Sequence, residues 1–435
     1  MIKTVIHIII LILICSSCQL LEDNKTFDYD LYNSSFGIFD FGFYEVPQSL
    51  EVSQNCDIYV SGTTSKMHDP TDYLLLKYKS DGKLDNTFGN NGHMMFDIDA
   101  GIDEGNQILL SNDNKIIIGG RSNHGVDLGT VLFDYSLAKF NANGVLDKSF
   151  GGEGKVITDF GYRDDAINKL IQNDEKTFYA IGRSSNGKDD DFAIARYDYD
   201  GNLDFTFNDI GRVWIDFGMS DDVAYTAEKT HEGDIIIGGS SNSGATPKVA
   251  FAKIKSDGTI DTSFGDNGLK VWKFSPPGLI YDLDINGNDV YASGFIDNLE
   301  TFNILVTKFD LEGKIDKDFG KNGTKIFTDF KSDSISTSIH IINHNQILLA
   351  GTIKNTKNED AALIMIDNKA NLDLSFGNQG VFTFDAGKNE IFTDIKMAND
   401  KLYVIGLHSD EDEGDVILFR MYKQKGNSCN EVFKK

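Results

Sequence analysis

One phrase keeps returning along this chain. It reads LDNTFGNNG at Leu84–Gly92, LDKSFGGEGKVITDFG at Leu146–Gly161, IDTSFGDNGLKV at Ile260–Val271, IDKDFGKNGTKIFTDF at Ile315–Phe330 and LDLSFGNQGVFTF at Leu372–Phe384. Its phenylalanines, Phe88, Phe150, Phe207, Phe264, Phe319 and Phe376, are spaced by 62, 57, 57, 55 and 57 residues. Self-similarity at such a period restricts the chain to a propeller, a solenoid or an array of small units.

Within one period the pattern reads as four short strands. KVITDFG, AINKLIQ, TFYAIGR and DFAIARYDY follow one another, with Asn173-Asp174-Glu175 and Asp200-Gly201 as turns. Four antiparallel strands per period predict a propeller blade, with KVITDFG as its first and innermost strand. SSFGIFDFG (Ser34–Gly42), CDIYVSG and DYLLLKY supply a set before the first full period. VFTFDA, IFTDIKM, KLYVIGL and DVILFRMY supply one after the last. The expected fold is therefore all-β, a seven-bladed β-propeller over residues 33–423, followed by a closing tail, 424–435. Abundant Gly (42) and scarce Pro (5) agree with many tight turns.

The succession FAIARYDYDGNLD, SFGGEGKV, TDFG and NDNKIIIGG resembles the delta-60 repeat of secreted bacterial proteins, from about Ser34 to Tyr422. That resemblance implies a propeller-like fold and no catalytic residues. Asn208 after Phe207, and Trp272-Lys273-Phe274 in place of Thr-Asp-Phe, depart from the pattern.

The repetition assigns the phrase a structural part. Each Phe, with the Leu or Ile four residues before it (Leu84, Leu146, Leu203, Ile260, Ile315, Leu372), is expected to plug a seam between blades. Each buried Phe would contribute about 1.5–3 kcal/mol. The Asp after that Leu or Ile (Asp85, Asp147, Asp204, Asp261, Asp316, Asp373) suits an Asx-turn.

At the N-terminus, Lys3 precedes the apolar run Val5–Ile14 and CSSC at Cys15–Cys18, too short to span a bilayer. The arrangement resembles a bacterial lipoprotein signal. It implies a signal over 1–17, lipidation of Cys18, a polar tether over 18–32, and a place in the cell envelope with the anchor as the sole membrane contact. Cys15, where an aliphatic residue is usual, departs from that pattern. A formal charge of −26 opposes binding to nucleic acid. In an oxidising compartment Cys56 and Cys429 are expected to pair, tying the tail to the first blade.

Candidates for chemistry are few. Asp40, Asp97, Asp159, Asp216, Asp329 and Asp385 share one repeat position, with Lys273 in the seventh. On the innermost strand they would form a carboxylate ring for Ca²⁺; otherwise each caps a turn. A second set, Asp72, Asp134, Asp191, Asp360 and Asp415, is replaced by Lys248 and Asn303 elsewhere and reads as turn chemistry. Trp272, Lys273 and Lys248 mark the break in the repeat where an anionic or sugar ligand would contact an acidic disc. His68, His124 and His408 fall in loops at the rim, and His340 and His344 flank a turn. No Gly-x-Ser-x-Gly, phosphate-binding loop or HExxH motif occurs in the sequence. The expectation is a monomeric, non-enzymatic binding scaffold for an envelope protein or glycan, with no cofactor beyond that candidate Ca²⁺. A hydrolase or lyase at the channel mouth, or a purely structural protein, are the alternatives.

Overall fold

The computed structural model describes residues 29–65, 70–99, 101–123, 132–161, 164–218, 220–242, 246–272, 276–411 and 413–423. Among them every regular element is a β-strand except one 3-10 turn at Phe150–Gly152. The strands form five four-stranded sheets and one eight-stranded sheet. In a representative sheet Ala166–Gln172, Thr177–Ser185, Asp190–Asp198 and Arg212–Ile215 pair antiparallel in chain order.

The radial order differs from the sequence expectation. The innermost strands are Tyr44–Val52, Asp103–Leu110, Ala166–Gln172, Asp222–Lys229, Gly278–Asn286, Ser334–Asn343 and Asn389–Ala398, side by side around a central channel. The strand that ends in Thr-Asp-Phe is the outermost of the preceding sheet, not the innermost of the next. Strand alternation is the same wherever a blade is taken to begin, so periodicity alone leaves the radial phase open. Length is the cue. The outer strands, such as Lys155–Thr158 and Leu269–Val271, have only four and three residues, as suits an exposed sheet edge.

The recurring phrase thus joins the third strand to the outer strand of one sheet. Its Phe is buried at all six positions and faces the next sheet. There it packs beneath a glycine turn: a Cβ added to Gly144, Gly201, Gly258 or Gly313 would lie 3.0–3.1 Å from the ring of Phe88, Phe150, Phe207 or Phe264. The residue after Phe88, Phe150, Phe207, Phe264 and Phe319 donates its N–H to the corresponding turn, as from Gly151 to Asp200 (2.8 Å) and Asn208 to Asp257 (2.8 Å). The paired Leu or Ile is only partly covered, and Ile260 is 37% exposed, so the seam rests on the Phe.

The Asp of the phrase makes the expected Asx-turn, with Ser149 and Ser263 hydroxyls donating to Asp147 and Asp261 at 2.6 and 2.7 Å. It also anchors a basic side chain of the third strand, in Lys77–Asp85 (3.1 Å), Arg196–Asp204 (2.8 Å), Lys253–Asp261 (2.9 Å) and Lys308–Asp316 (2.8 Å).

The eight-stranded sheet consists of two runs of four. One holds Asn389–Ala398, Lys401–Ser409, Gly414–Lys423 and the N-terminal strand Tyr29–Phe39; the other holds Tyr44–Val52, Ile58–Ser65, Thr71–Tyr78 and His93–Phe96. A single parallel pair, Tyr44 with Gly414, links them. The N-terminal strand runs antiparallel along the last strand of the chain, with Phe36 opposite Phe419 and Ile38 opposite Ile417. The sequence pattern shows no such shared strand, because SSFGIFDFG reads like any other strand of its kind; its partner lies at the far end of the chain. Phe39 then packs on Tyr78 of the next run, with ring centres 4.8 Å apart.

Candidate functional site

The channel is built by a defect repeated in every inner strand. Each carries a β-bulge, between Pro47/Ser49, Gly105/Gln107, Ile167/Lys169, Ala224/Thr226, Ile280/Asp282, Ser336/Ser338 and Phe392/Asp394. The extra residue of a bulge re-aims its side chain. Gln48, Asn106, Asn168, Tyr225, Tyr281, Thr337 and Thr393 consequently all line the upper channel.

The bulge also explains a glycine on each second strand. A Cβ at Gly62, Gly120, Gly182, Gly239, Gly294, Gly351 or Gly406 would lie 1.7–2.3 Å from a carbonyl oxygen of the bulged strand.

Just below the bulges, side chains tie the inner strands into a ring. Gln107 Nε2 donates to Ser49 Oγ (2.6 Å), Asn106 to Ile167 O (2.8 Å), Asn168 to Ala224 O (2.8 Å) and Thr226 to Asp282 (2.9 Å). Ser338 donates to Asp282 (3.0 Å), Thr337 to Phe392 O (2.6 Å) and the Leu50 amide to Asp394 (2.9 Å). Every junction between neighbouring inner strands is bridged. Lys169 reaches across to Asp282 at 3.3 Å.

This collar divides the channel into an upper cavity of 560 Å³, on the face where the inner strands begin, and a lower one of 500 Å³. The upper mouth carries Arg121, paired with Glu104 at 2.8 Å, and Arg183, paired with Asp190 at 2.7 Å. Beginning in the sheet next to that of Arg183, an aromatic row runs outward: Tyr225–Tyr281 (5.5 Å), Tyr281–Phe295 (5.9 Å) and Phe295–Phe302 (5.1 Å). The lower cavity is charged, lined by Lys169, Glu228, Asp284, His340 and Lys396.

Burial pushes the Asp394 carboxyl up to about 6, against the pull of Lys169. Burial opposes the charge of Lys169, but Asp282, Glu228 and Asp394 hold its pKa above the usual lysine range. In the lower cavity burial lowers the His340 pKa, opposed by Asp284 at 3.4 Å. Burial likewise raises Glu228 to about 7, with Lys169 pulling the other way and Asp284 and Asp282 adding to the rise. Below the ordinary glutamate pKa of about 4.3 its carboxyl is neutral in both states and contributes no pH dependence. Between there and about 7 the folded state holds the extra proton, so stability falls as pH rises. Glu228→Gln is therefore expected to match wild type in urea denaturation at pH 4 and to exceed it by up to about 3 kcal/mol at pH 8. An equal difference at both pH values would contradict this.

The residues singled out in the sequence sit elsewhere. Asp40, Asp97, Asp159, Asp216, Asp329 and Asp385 are exposed near the outer-strand ends and do not ring the channel, a consequence of the radial order. Four of them hold the next glycine amide: Asp40 with Gly42 (2.6 Å), Asp159 with Gly161, Asp216 with Gly218 (2.6 Å) and Asp385 with Gly387 (2.9 Å).

Trp272 is buried between Phe251 and Phe309, so its ring is packed as core and is closed to a ligand. Lys248 opens the third strand Lys248–Ile254 of its sheet. Cys56 lies in a turn with φ 63°, where Asn399 Nδ2 approaches its sulfur at 3.0 Å. Cys18, Lys273, Cys429, His68 and His124 lie outside the described residues. His408 is buried rather than at the rim, with Nδ1 2.8 Å from Glu390. The collar escaped the sequence reading. Its signal is a pair of adjacent polar or aromatic residues in an otherwise alternating strand, as in Asn168-Lys169 and Tyr281-Asp282.

Radial sheets around a polar channel define a β-propeller repeat protein. Residues 111–150 and 233–264 match the family model described as "Domain of unknown function (DUF5122) beta-propeller". No curated protein matches the sequence. Among solved structures, a polysaccharide lyase, an ulvan lyase, is similar at 11% identity over 88% of this chain and 95% of its own, with a TM-score of 0.56. A catalytically inactive virginiamycin B lyase from Staphylococcus aureus with quinupristin gives 9% identity, 89% and 99% coverage and a TM-score of 0.51. A protein of unknown function from Dyadobacter fermentans DSM 18053 gives 10%, 91% and 100%, and 0.50. At these identities the likeness is one of fold.

Proposed function

We propose that the chain is a seven-bladed, envelope-anchored propeller that binds a carbohydrate chain at its upper channel mouth without cleaving it. Seven blades follow from taking the two runs of the eight-stranded sheet as separate blades, since one residue pair joins them. The envelope anchor rests on the Val5–Cys18 segment alone.

One observation carries the ligand class: Tyr225 and Tyr281 line one cavity with the amides of Gln48, Asn106 and Asn168 and the guanidinium groups of Arg121 and Arg183, and the aromatic row continues outward from Tyr281 through Phe295 and Phe302. Sugars present apolar C–H faces to aromatic rings, while amides and arginines bond their hydroxyl or carboxylate groups. Binding rather than turnover is favoured because the collar acids are already engaged. Asp282 accepts from Thr226, Ser338 and the Ile339 amide, and Asp394 from Ser49 and the amides of Leu50 and Ile395. A general acid or base needs a free edge toward its substrate. The ulvan lyase among the similar structures is a polysaccharide lyase, which suits a carbohydrate at a propeller face.

The test is a panel of neutral and uronate-containing oligosaccharides against wild type and Tyr281→Ala. At least one glycan is expected to bind wild type and to lose about tenfold or more in affinity on the substitution, with no change in polymer length. Chain cleavage by wild type would overturn the non-catalytic reading. Binding indifferent to Tyr281 would overturn the site.

A further inference from the structure

The two acidic sets that look independent in the sequence meet in space, together with a third. Asp72, Asp97 and Asp103 bring one carboxylate oxygen each within 4.8 Å of one another; so do Asp134, Asp159 and Asp165, and Asp191, Asp216 and Asp222. The same holds for Asp360, Asp385 and Glu390, and for Asp40, Glu45 and Asp415. Each trio sits where the chain crosses from an outer strand to the next inner strand. It takes one acid from the start of a third strand, one from the crossing and one from the start of the next inner strand.

The third acid is the informative one. Glu45, Asp103, Asp165, Asp222 and Glu390 are at most 1% exposed. One oxygen of each accepts an amide N–H of the crossing, as Asp222 does from Phe217 (2.8 Å) and Glu390 from Lys388 (3.0 Å). The other oxygen is buried without a hydrogen-bond partner: Glu45 Oε2, Asp103 Oδ1, Asp165 Oδ1, Asp222 Oδ1 and Glu390 Oε2. Ser122, Ser184 and Ser241 stand close enough to ease the burial of Asp103, Asp165 and Asp222 without giving those oxygens a bond of ordinary geometry. Asp191 adds another orphaned oxygen, Oδ1, to its own trio. A buried carboxylate oxygen beside two more carboxylates, with no hydrogen bond of ordinary geometry, is strongly unfavourable as the anion unless a cation joins it; without one the group must take up a proton.

The repeat itself shows that the trio acts as a unit. In the two remaining junctions all or most of it is lost together. Gly278 takes the buried place where Lys248 and Lys273 take the other two, and Ser334 takes it where Asn303 stands beside Asp329. The second-strand residue opposite changes in step. It is Thr64, Ser122, Ser184, Ser241 or His408 opposite an acid, but Ile296 and Ile353 opposite Gly278 and Ser334. Spacing is compensated as well. Six residues separate the crossing acid from a buried Asp (Asp97 to Asp103, Asp159 to Asp165, Asp216 to Asp222). Five separate it from a buried Glu (Asp40 to Glu45, Asp385 to Glu390), whose extra methylene restores the reach.

We infer that these five junctions are calcium sites, each clamping one sheet to the next. The donors are hard oxygens, as Ca²⁺ prefers, and oxygens on opposite sides of one Ca²⁺ lie about 5 Å apart, against ~4 Å for Mg²⁺. Waters and crossing carbonyls would complete the shell. The sites stand apart from the channel, and the inference does not rest on the carbohydrate reading.

The test uses chelator-treated protein, Ca²⁺ titration calorimetry, native mass spectrometry and thermal melting. Up to five Ca²⁺ per chain are expected, with the melting temperature rising by about 10 °C. Asp222→Asn should remove one ion, and should raise the melting temperature of the calcium-free protein while reducing the rise on adding calcium. A merely structural carboxylate would not give that opposition. Asp329→Asn, at the equivalent crossing position of a junction without a trio, should leave the ion count unchanged. No heat with Ca²⁺ and a melting temperature indifferent to chelator would overturn the inference. So would equal ion loss in both variants, or equal binding of Mg²⁺.

Discussion

Gly120→Ala is expected to destabilise the protein by about 3 kcal/mol or more, whereas the same change at its neighbour Gly119 should cost under ~1 kcal/mol. The two glycines share one IIIGGR stretch, so composition and helix or strand propensity do not separate them. What separates them is what a methyl group would meet. At Gly120 it would lie 1.7 Å from the Glu104 carbonyl oxygen, which the bulge of the inner strand presses against it. At Gly119 it would lie 3.1 Å from the tips of Leu170 and 3.2 Å from a methyl of Ile167, side-chain atoms that need to give by only a few tenths of an ångström. Relief at Gly120 requires the bulge to flatten. That would withdraw Asn106 from Ile167 O and Gln107 from Ser49, and break the collar on both sides of one inner strand. Urea denaturation of the two variants measures the contrast. Equal losses would mean that the bulge is not what the glycine serves.

Phe207→Ala should be comparably severe, at about 3–5 kcal/mol. The ring is fully buried at a seam, 5.4 Å from Tyr179 and 4.9 Å below the Arg196 guanidinium. Ile235, Ile237, Ala250 and Ile254 of the following sheet belong to the same cluster. The cavity left would lie between two sheets, neither of which can close over it without parting from its other neighbour. Ile260→Ala, in the same phrase one unit later but 37% exposed, should cost about 1 kcal/mol or less. Chemical denaturation of the pair checks the division of labour within the phrase. A loss at Ile260 as large as that at Phe207 would contradict it.

The Phe seams and the Asx-turns were legible because each needs one residue type at one offset, and the repeat displays both six times over. Radial order was not, since strands alternate alike at the axis and at the rim. The collar was hidden by its bulges, which shift the polar residue one place off the expected alternation. The acidic trios were half visible. Asp72 and Asp97 stood out as separate repeats 25 positions apart. Their partner Asp103 did not stand out as a repeat, because its counterpart in two junctions is a Glu one position nearer. The latch at Tyr29–Phe39 was unreadable for the plainest reason: its partner strand, Gly414–Lys423, lies at the other end of the chain.

The sheets form one closed ring, latched by the N-terminal strand, and not a row of independent units. Both tryptophans, Trp214 and Trp272, stand at the outer edges of sheets formed by other parts of the chain. They therefore report on the ring at a distance from the latch. Urea unfolding should be followed by tryptophan fluorescence and circular dichroism in a chain lacking residues 1–28 and in one lacking 1–39. The closed ring predicts that removing the latch lowers both midpoints together. A fluorescence midpoint unmoved by the deletion, with only part of the circular dichroism signal lost, would contradict it.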